Sequence, residues 1–318
     1  MAKKSSVNAL VCPVCCTHFV KRHGVLSCKN CKRSFPIYKN IPRLVVGVNS
    51  VIEEVQQGFD SQWQYTSRDF NSKDYVLGEF VEQGLTNYLL EFTRLERNWF
   101  KKKRCLDVGS GFGRYSHALD ELGAELYSID LTPTGVESTK RLAPHSTVAQ
   151  ANLFSLPLKQ QAFDLVISIG VLHHTPSTRA AFDRVSRMVK KNGVFVIMVY
   201  EKHNPLKLFL TECLRRALNA LGKKKMFDAC VVLEKIGKIT PLRYVGNAFI
   251  TFGPSRYGNY DCYSAPINHH HTAEEVSKWF EENGFIDVEV TNSELSGWFN
   301  HFFRGKHRGI IFVKGVKK

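Results

Sequence analysis

Three groups of residues in this chain have types and spacing that could do chemistry. The first is a cysteine quartet, Cys12, Cys15, Cys28 and Cys31, arranged as two C-x2-C pairs twelve residues apart. Each pair can present two thiolates to one ion from a tight turn, and two such turns complete a tetrahedral zinc site. A closed four-thiolate site leaves no position for water, so the zinc it predicts is structural. Between the pairs, Gly24 marks a predicted hairpin turn flanked by β-branched and aromatic residues. A module this small has too little core to fold alone, and metal would supply the missing stability. Four buried cysteines without metal are the alternative; Cys16 reads as a spare thiol.

The second group is the stretch CLDVGSGFGRYS at 105–116, with Gly109, Gly111 and Gly113 between a predicted strand and a predicted helix. Glycines there let the backbone approach a ligand and leave helix N–H groups pointing at it. A dinucleotide fingerprint would need its third glycine at position 114, which is Arg114. Asp107 sits two residues before the first glycine. Asp130, 23 residues after Asp107 at the end of the next strand, is placed to accept from both hydroxyls of a ribose. Asn152 follows a third strand, and Ile169 and Gly170 end a fourth. All lie at the carboxyl edge of the predicted sheet, where such folds bind ligands.

The third group could move protons. His173 and His174 follow the fourth strand, and either suits a general base near neutrality or belongs to the scaffold. Glu201 ends the fifth strand, where it either orients an acceptor hydroxyl or is solvated. His269, His270 and His271 precede a capped helix; one of them, with His270 at the centre, faces the substrate beside Asp261 or Tyr263, or the run is a helix-entry loop. No spaced acids support a metal there.

The elements that must position these groups follow from periodicity. Strand–helix alternation begins near 103 and predicts a parallel sheet covered by helices on both faces. The strands read as RCLDVGS, ELYSID, FDLVISIG and VFVIMVY. The helices between them include RYSHALDELG, closed by Gly123; one N-capped by Thr132 with Pro133 first; and 177–193, closed by Gly193. A helical pattern also covers 78–98. Alternation stops at 203 and resumes at 272, where Thr272 and Glu275 form a capping box, followed by strands in DVEVT and RGIIFVKG. The expected fold is therefore α/β: a Rossmann-like seven-stranded sheet, a small N-terminal zinc ribbon, and an α-rich insertion after the fifth strand. The expected domains are a ribbon at 1–48, a linker and helices covering the cofactor site at 49–100, and a catalytic domain at 101–318 with its insertion at 203–271.

The chain has 318 residues and a net charge of +15, concentrated in two segments. Residues 1–45 carry nine Lys/Arg and no acid; residues 203–260 carry ten Lys/Arg against three acids. Such faces suit nucleic acid, anionic lipid or a phosphorylated substrate, or are simply solvated. Within the insertion, 206–225 reads as a basic amphipathic helix with Leu206, Leu210, Cys213, Leu214, Ala217 and Leu221 on one stripe. It is a lid, a peripheral membrane contact, or packed core. No secretory leader or transmembrane span is read, so the expected location is cytoplasmic and reducing, with the nine cysteines as thiols or metal ligands.

Two resemblances sharpen these readings. The quartet followed by SFPIYKNIPRLV resembles the Trm112-like zinc-ribbon family, which implies a structural zinc and an attachment or substrate-presenting role. Asn40 stands where Gly is common. The order D-x-G-x-G-x-G, then an acid, then LP…FD, resembles the class I S-adenosylmethionine-dependent methyltransferases, in particular the ubiquinone/menaquinone-type methylase branch. This implies that Gly109, Gly111 and Gly113 line the methionine part of the cofactor and that Asp107 helps hold its ammonium, directly or through water. It implies that Asp130 takes the ribose hydroxyls and that Ile169 and Gly170 make backbone contacts. Asn152 stands where the family usually has Asp beside the adenine amino group; its amide oxygen can still accept. Tyr65 and Trp63 resemble aromatics that cover the cofactor.

The reaction implied is methyl transfer from S-adenosyl-L-methionine. No Asn/Asp-Pro-Pro-Tyr run follows the fourth strand, which disfavours amino-group methylation of adenine or glutamine, and no Pro-Cys nucleophile suits cytosine C5 chemistry. A small-molecule, glycan or lipid-linked acceptor of anionic character is the first reading. An RNA methyltransferase using its basic ribbon is the second, and a non-catalytic cofactor-binding scaffold the third.

Overall fold

The computed structural model describes residues 9–69, 75–76, 79–80, 84–202, 205–253, 255–291 and 309–318. The cysteine-bearing segment forms a four-stranded antiparallel ribbon of β1 (Phe19–Arg22), β2 (Val25–Cys28), β3 (Ser34–Tyr38) and β4 (Ile41–Pro42). His23 and Gly24 both take positive φ between β1 and β2, the twist that suits a two-residue hairpin turn. Helix α1 (Ser50–Asp69) follows, then a short hairpin of β5 (Tyr75–Val76) and β6 (Glu79–Phe80), then α2 (Leu85–Thr93). The helix expected over 78–98 is therefore shorter, ending at Arg94 in a left-handed cap; residues 78 and 81–83 lie outside the described ones.

The main sheet contains β7 (Arg104–Val108), β8 (Glu125–Asp130), β9 (Thr147–Gln150), β10 (Phe163–Ile169), β11 (Val189–Glu201), β12 (His270–His271), β13 (Phe285–Val290) and β14 (Ile310–Lys317). Seven strands run in the order β13-β14-β11-β10-β7-β8-β9, and β12 pairs with the end of β11. The strands β7–β11 are mutually parallel; β14 is antiparallel to β11 and to β13. Helices α3 (Arg114–Glu121), α4 (Pro133–Leu142), α5 (Thr178–Ser186) and α10 (Ala273–Glu282) make the crossovers. The central strands β7 and β10, and β11 from Val194 to Val199, are buried nearly throughout because helices cover both faces.

The end of helix α5 also differs from the sequence pattern. Helix α5 ends at Ser186, not at Gly193, because Val189 already pairs with Phe163 of β10. Residues 190–193 loop out of register, with Asn192 in the left-handed region, before Val194 resumes beside Leu165. Thr132 and Thr272 accept from the backbone N–H groups of Gly135 and Glu275, as their capping positions predicted.

The ribbon packs on the sheet. Its Leu10, Cys12, Leu26, Phe35 and Leu44 share one apolar cluster with Leu106, Val108, Tyr127 and Phe163. Arg43 bridges Gln150 in parallel register, and Leu44 N–H donates to the Gln150 carbonyl at 2.7 Å, so the ribbon covers the open edge of β9. The insertion comprises α6 (Pro205–Ala220), α7 (Lys223–Lys238), α8 (Thr240–Asn247) and α9 (Arg256–Ser264). Gly222 at positive φ breaks the single helix expected over 206–225 into α6 and α7. On α6 the inward residues are Leu214 and Leu218; Leu206, Phe209 and Cys213 face outward, so the sequence stripe does not coincide with the packed face.

Candidate active site

The carboxyl ends of β7, β8, β9 and β10 lie on one edge of the sheet, and the turns that follow them wall a cavity. Counted out through its open mouth, its empty space is about 1090 Å³. The floor is the glycine turn. Gly109 and Gly111 line it at φ 77 and 51, and a Cβ on Gly109 would strike the side chain of Val171. A Cβ on Gly111 would come within 2.7 Å of the Trp63 ring. These two positions therefore need glycine for close approach as well as for backbone conformation.

Gly113 is different. It does not line the cavity; a Cβ there would lie 2.6 Å from the Thr139 backbone, so this glycine lets α3 pack on α4. Asp107 also stands behind the wall. Its carboxylate accepts from the Ser116 hydroxyl at 2.7 Å, and burial pushes its pKa up to about 7. Asp130 does face the cavity. Its Oδ2 accepts from Gly111 N at 2.7 Å, and its Oδ1 accepts from the Thr132 N–H and hydroxyl at 2.8 and 2.6 Å. Burial raises its pKa while these donors pull it back. Oδ1 is saturated, whereas Oδ2 keeps a lone pair for a ligand hydroxyl.

Asn152 lines the far end of the same cavity and is 3% exposed. Its side-chain amide donates to the carbonyls of Val46 and Gly47 at 3.2 and 3.1 Å, and its oxygen accepts from Phe154 N–H at 3.0 Å. A carboxylate would have nothing to donate to those two carbonyls. The choice of Asn over Asp here thus has a local reason: the chain leaving the ribbon presents acceptors at this point. Ile169, at the end of β10, and Gly170 after it also line the cavity.

Helix α1 closes the cavity from above. Ile52, Val55, Phe59 and Trp63 recur at helical spacing on one face and all line it. The helix is tied down by Gln56 Nε2 donating to the Leu131 carbonyl and by Asp60 accepting from Thr134 N–H, both at 2.8 Å. The stripe follows an i, i+3, i+7, i+11 pattern along α1. Tyr65 is two positions from Trp63, hence on another face of α1. It stacks on Phe227 at 4.8 Å within the insertion core, away from the cavity.

Of the proton-moving candidates, His174 reaches the cavity wall and is 3% exposed. Its Nδ1 lies 2.8 Å from the Ile267 carbonyl. A carbonyl can only accept, so Nδ1 carries the proton and Nε2 the lone pair. Burial lowers the pKa of His174, keeping the ring neutral. Phe59 packs edge-on against it at 5.1 Å. His173 lies behind, fully buried between the rings of His174 and Tyr200, with neither ring nitrogen hydrogen-bonded to any described residue; burial holds its pKa well below the ordinary range. Glu201 and His270 pair β11 with β12, where His270 Nδ1 meets the Glu201 carbonyl, and neither lines the cavity.

A group singled out only loosely from sequence stands across from His174. Asp261, carried by α9 of the insertion, lines the cavity and accepts from Gln62 Nε2 at 2.7 Å and from the Tyr200 hydroxyl at 3.2 Å. Its side chain is thus held by α1 and β11 at once. Nothing in the local sequence could show that an insertion residue returns to the sheet edge.

In the ribbon, the four thiol sulfurs of Cys12, Cys15, Cys28 and Cys31 lie within 4.8 Å of one another. The pairs cross, with Cys12 Sγ 3.6 Å from Cys31 Sγ and Cys15 Sγ 3.3 Å from Cys28 Sγ. Ligands at ~2.3 Å around a tetrahedral zinc stand roughly 3.8 Å apart, so the cluster fits that ion with small adjustment. Among the described residues no helix is long and apolar enough to cross a membrane.

Comparison with known proteins agrees with the geometry. Residues 106–197 match the family model described as "Methyltransferase domain". The mitochondrial ubiquinone biosynthesis O-methyltransferase of Schizosaccharomyces pombe is 30% identical over 182 residues, covering 50% of this chain and 65% of that protein. Phosphoethanolamine N-methyltransferase 2 of Caenorhabditis elegans is 24% identical over 155 residues, covering 45% of this chain and 35% of the relative. The chain thus spans less than two thirds of either relative. Among solved structures, the Haemonchus contortus phosphoethanolamine N-methyltransferase 2 bound to S-adenosyl-L-methionine superposes with a TM-score of 0.53 at 18% identity, over 90% of this chain and 62% of that one. The fold is the Rossmann-like fold of S-adenosylmethionine-dependent methyltransferases.

Proposed function

We propose that this chain, whose residues 106–197 form a methyltransferase domain, transfers a methyl group from S-adenosyl-L-methionine to a hydroxyl or amine of a small or lipid-linked acceptor. One observation carries the reading: the nucleoside cradle of Gly109, Gly111 and Asp130 and the neutral imidazole of His174 open into the same cavity. The residues present fit the cofactor. Asp130 Oδ2 has a free lone pair for a ribose hydroxyl, the glycine turn leaves room that a Cβ would fill, and the Asn152 oxygen can accept a second bond beside the adenine. When bound, the cofactor supplies a methyl on a sulfonium, which an acceptor lone pair displaces in line.

The chain's own groups then have defined tasks. The apolar face of α1, with Phe59 and Trp63, excludes water from the mouth. His174 Nε2 takes the proton that the acceptor loses, and the Ile267 carbonyl keeps the ring in the required tautomer. Asp261, fixed by Gln62 and Tyr200, orients the acceptor or stabilises the imidazolium that forms. The four-thiolate cluster holds a structural zinc that rigidifies the ribbon along β9.

The RNA reading has less support, because the basic ribbon is packed along the sheet edge and two of its cations are committed internally. Lys39 and Arg43 pair with Glu137 at 2.7 and 2.9 Å. The test is methyl tracing: labelled cofactor is incubated with the full chain and a cell extract, then RNA, protein, lipid and small-molecule fractions are counted. Label in the lipid or small-molecule fraction supports the proposal. Ribonuclease-sensitive label overturns the acceptor class, and cofactor binding without label in any fraction overturns the catalytic reading.

A further inference from the structure

The insertion turns an unusual amount of apolar surface to solvent. Nine of the fifteen exposed large apolar side chains among the described residues lie between 206 and 249, and Phe209 and Val245 are 65% and 66% exposed. They are not scattered. Helix α6 exposes Leu206 and Phe209, α7 exposes Val232 and Ile236, and α8 with its following turn exposes Val245 and Phe249, each pair three or four residues apart on one helical face. The opposite faces of α6 and α7 are already used: Leu218, Met226 and Cys230 pack on Tyr260 and Tyr263 of α9. Thr251 N–H donates to Thr211 Oγ1 at 3.1 Å, which fastens the end of the α8 segment to α6.

An exposed apolar face alone does not name its partner; the charge does. The segment 203–260 holds ten Lys/Arg and three acids, and two of those acids are consumed within it. Glu212 binds Arg215 and Arg216, and Glu234 binds Lys238 and Arg256. Lys224, Lys225 and Lys235 remain exposed and form no ion pair among the described residues. Apolar side chains that can enter an acyl boundary, set among lysines that can meet headgroup phosphates, match an anionic bilayer surface.

We propose that α6, α7 and α8 dock this protein on an anionic lipid bilayer. The face belongs to the same insertion whose α9 places Asp261 in the cavity, so docking brings the bilayer next to the element that walls the acceptor site. Docking itself does not depend on the proposed methyl transfer and is read without it.

The experiment is co-sedimentation of the full chain with vesicles of phosphatidylcholine alone or with phosphatidylglycerol added, at low and high salt. Two variants accompany it: Phe209→Ser with Val245→Ser, and Lys224→Glu with Lys225→Glu. The parent should bind the anionic vesicles at least tenfold more tightly than the neutral ones, and salt should weaken this binding. Both variants should lose at least tenfold while keeping the parent's affinity for S-adenosyl-L-methionine, which shows that they fold. Equal binding to both vesicle types, or none, overturns the proposal. So does a parent dimer that Phe209→Ser with Val245→Ser turns into monomer, since the face would then be an interface between copies. Retention on RNA that depends on the lysines but not on Phe209 and Val245, without vesicle binding, overturns it as well.

Discussion

Replacing Asn152 by Asp should destabilise this protein. The Asn152 amide donates to two carbonyls, Val46 and Gly47, and its oxygen accepts from Phe154 N–H. A carboxylate keeps the last bond and loses both donations, each worth about 1 kcal/mol net, and leaves two part-buried carbonyls facing a negative charge. The expected cost is ~3 kcal/mol near pH 8, a fall in melting temperature of roughly 4–5 °C for a chain of this size. The pH dependence carries the sign. A carboxyl at this enclosed position has its folded pKa raised above the unfolded value of about 3.9. Its contribution is therefore least harmful at acid pH and most harmful once pH exceeds the folded pKa. Thermal unfolding of parent, Asn152→Asp and Asn152→Ala at about pH 5 and pH 8 separates the terms, since the alanine variant loses the same donors without gaining a charge. The Asp gap should widen with pH while the Ala gap stays constant. An Asp variant as stable as the parent at the higher pH, or a gap that ignores pH, would refute the argument.

Further outcomes follow from the site and the ribbon. Asp130→Ala should weaken S-adenosyl-L-methionine binding by about 10²-fold in calorimetry, through loss of the ribose acceptor and release of the Gly111 N–H that Asp130 holds in place; unchanged affinity sinks the ribose assignment. His174→Gln should cut kcat by ~10²–10³ while leaving cofactor affinity near the parent's, because only proton removal is lost. In the parent, the acid limb of kcat/KM should lie below the ordinary histidine range, as burial lowers the His174 pKa and a base works only above its pKa; a limb at or above that range removes His174 as the base. Elemental analysis should find about one zinc per chain. Stripping it should lower the melting temperature and expose Leu10 and Leu26 in the ribbon, read as faster amide exchange there; full stability without metal contradicts the structural role.

The parallel sheet, its crossover helices, the capping residues Thr132 and Thr272, the glycine turn and the cysteine spacing could all be read from the chain. Each is set within a few neighbouring residues, by hydrophobic period, by a side chain that reaches its own backbone, or by a turn that needs positive φ. What the chain alone left open were contacts between residues far apart in sequence. It could not show that the ribbon extends the sheet at β9 and so requires Asn rather than Asp at 152, or that Gly113 serves helix packing while Gly109 and Gly111 meet the cavity. It could not show that His174 and not His173 lines the cavity, that Asp261 returns from the insertion to meet Gln62 and Tyr200, or that Phe209 points outward on α6 while Leu218 points in. Local propensity and pattern act over one or two turns of chain. Which face of a helix is buried, and which of two neighbouring histidines sees the cavity, depend on what packs against them from a hundred residues away.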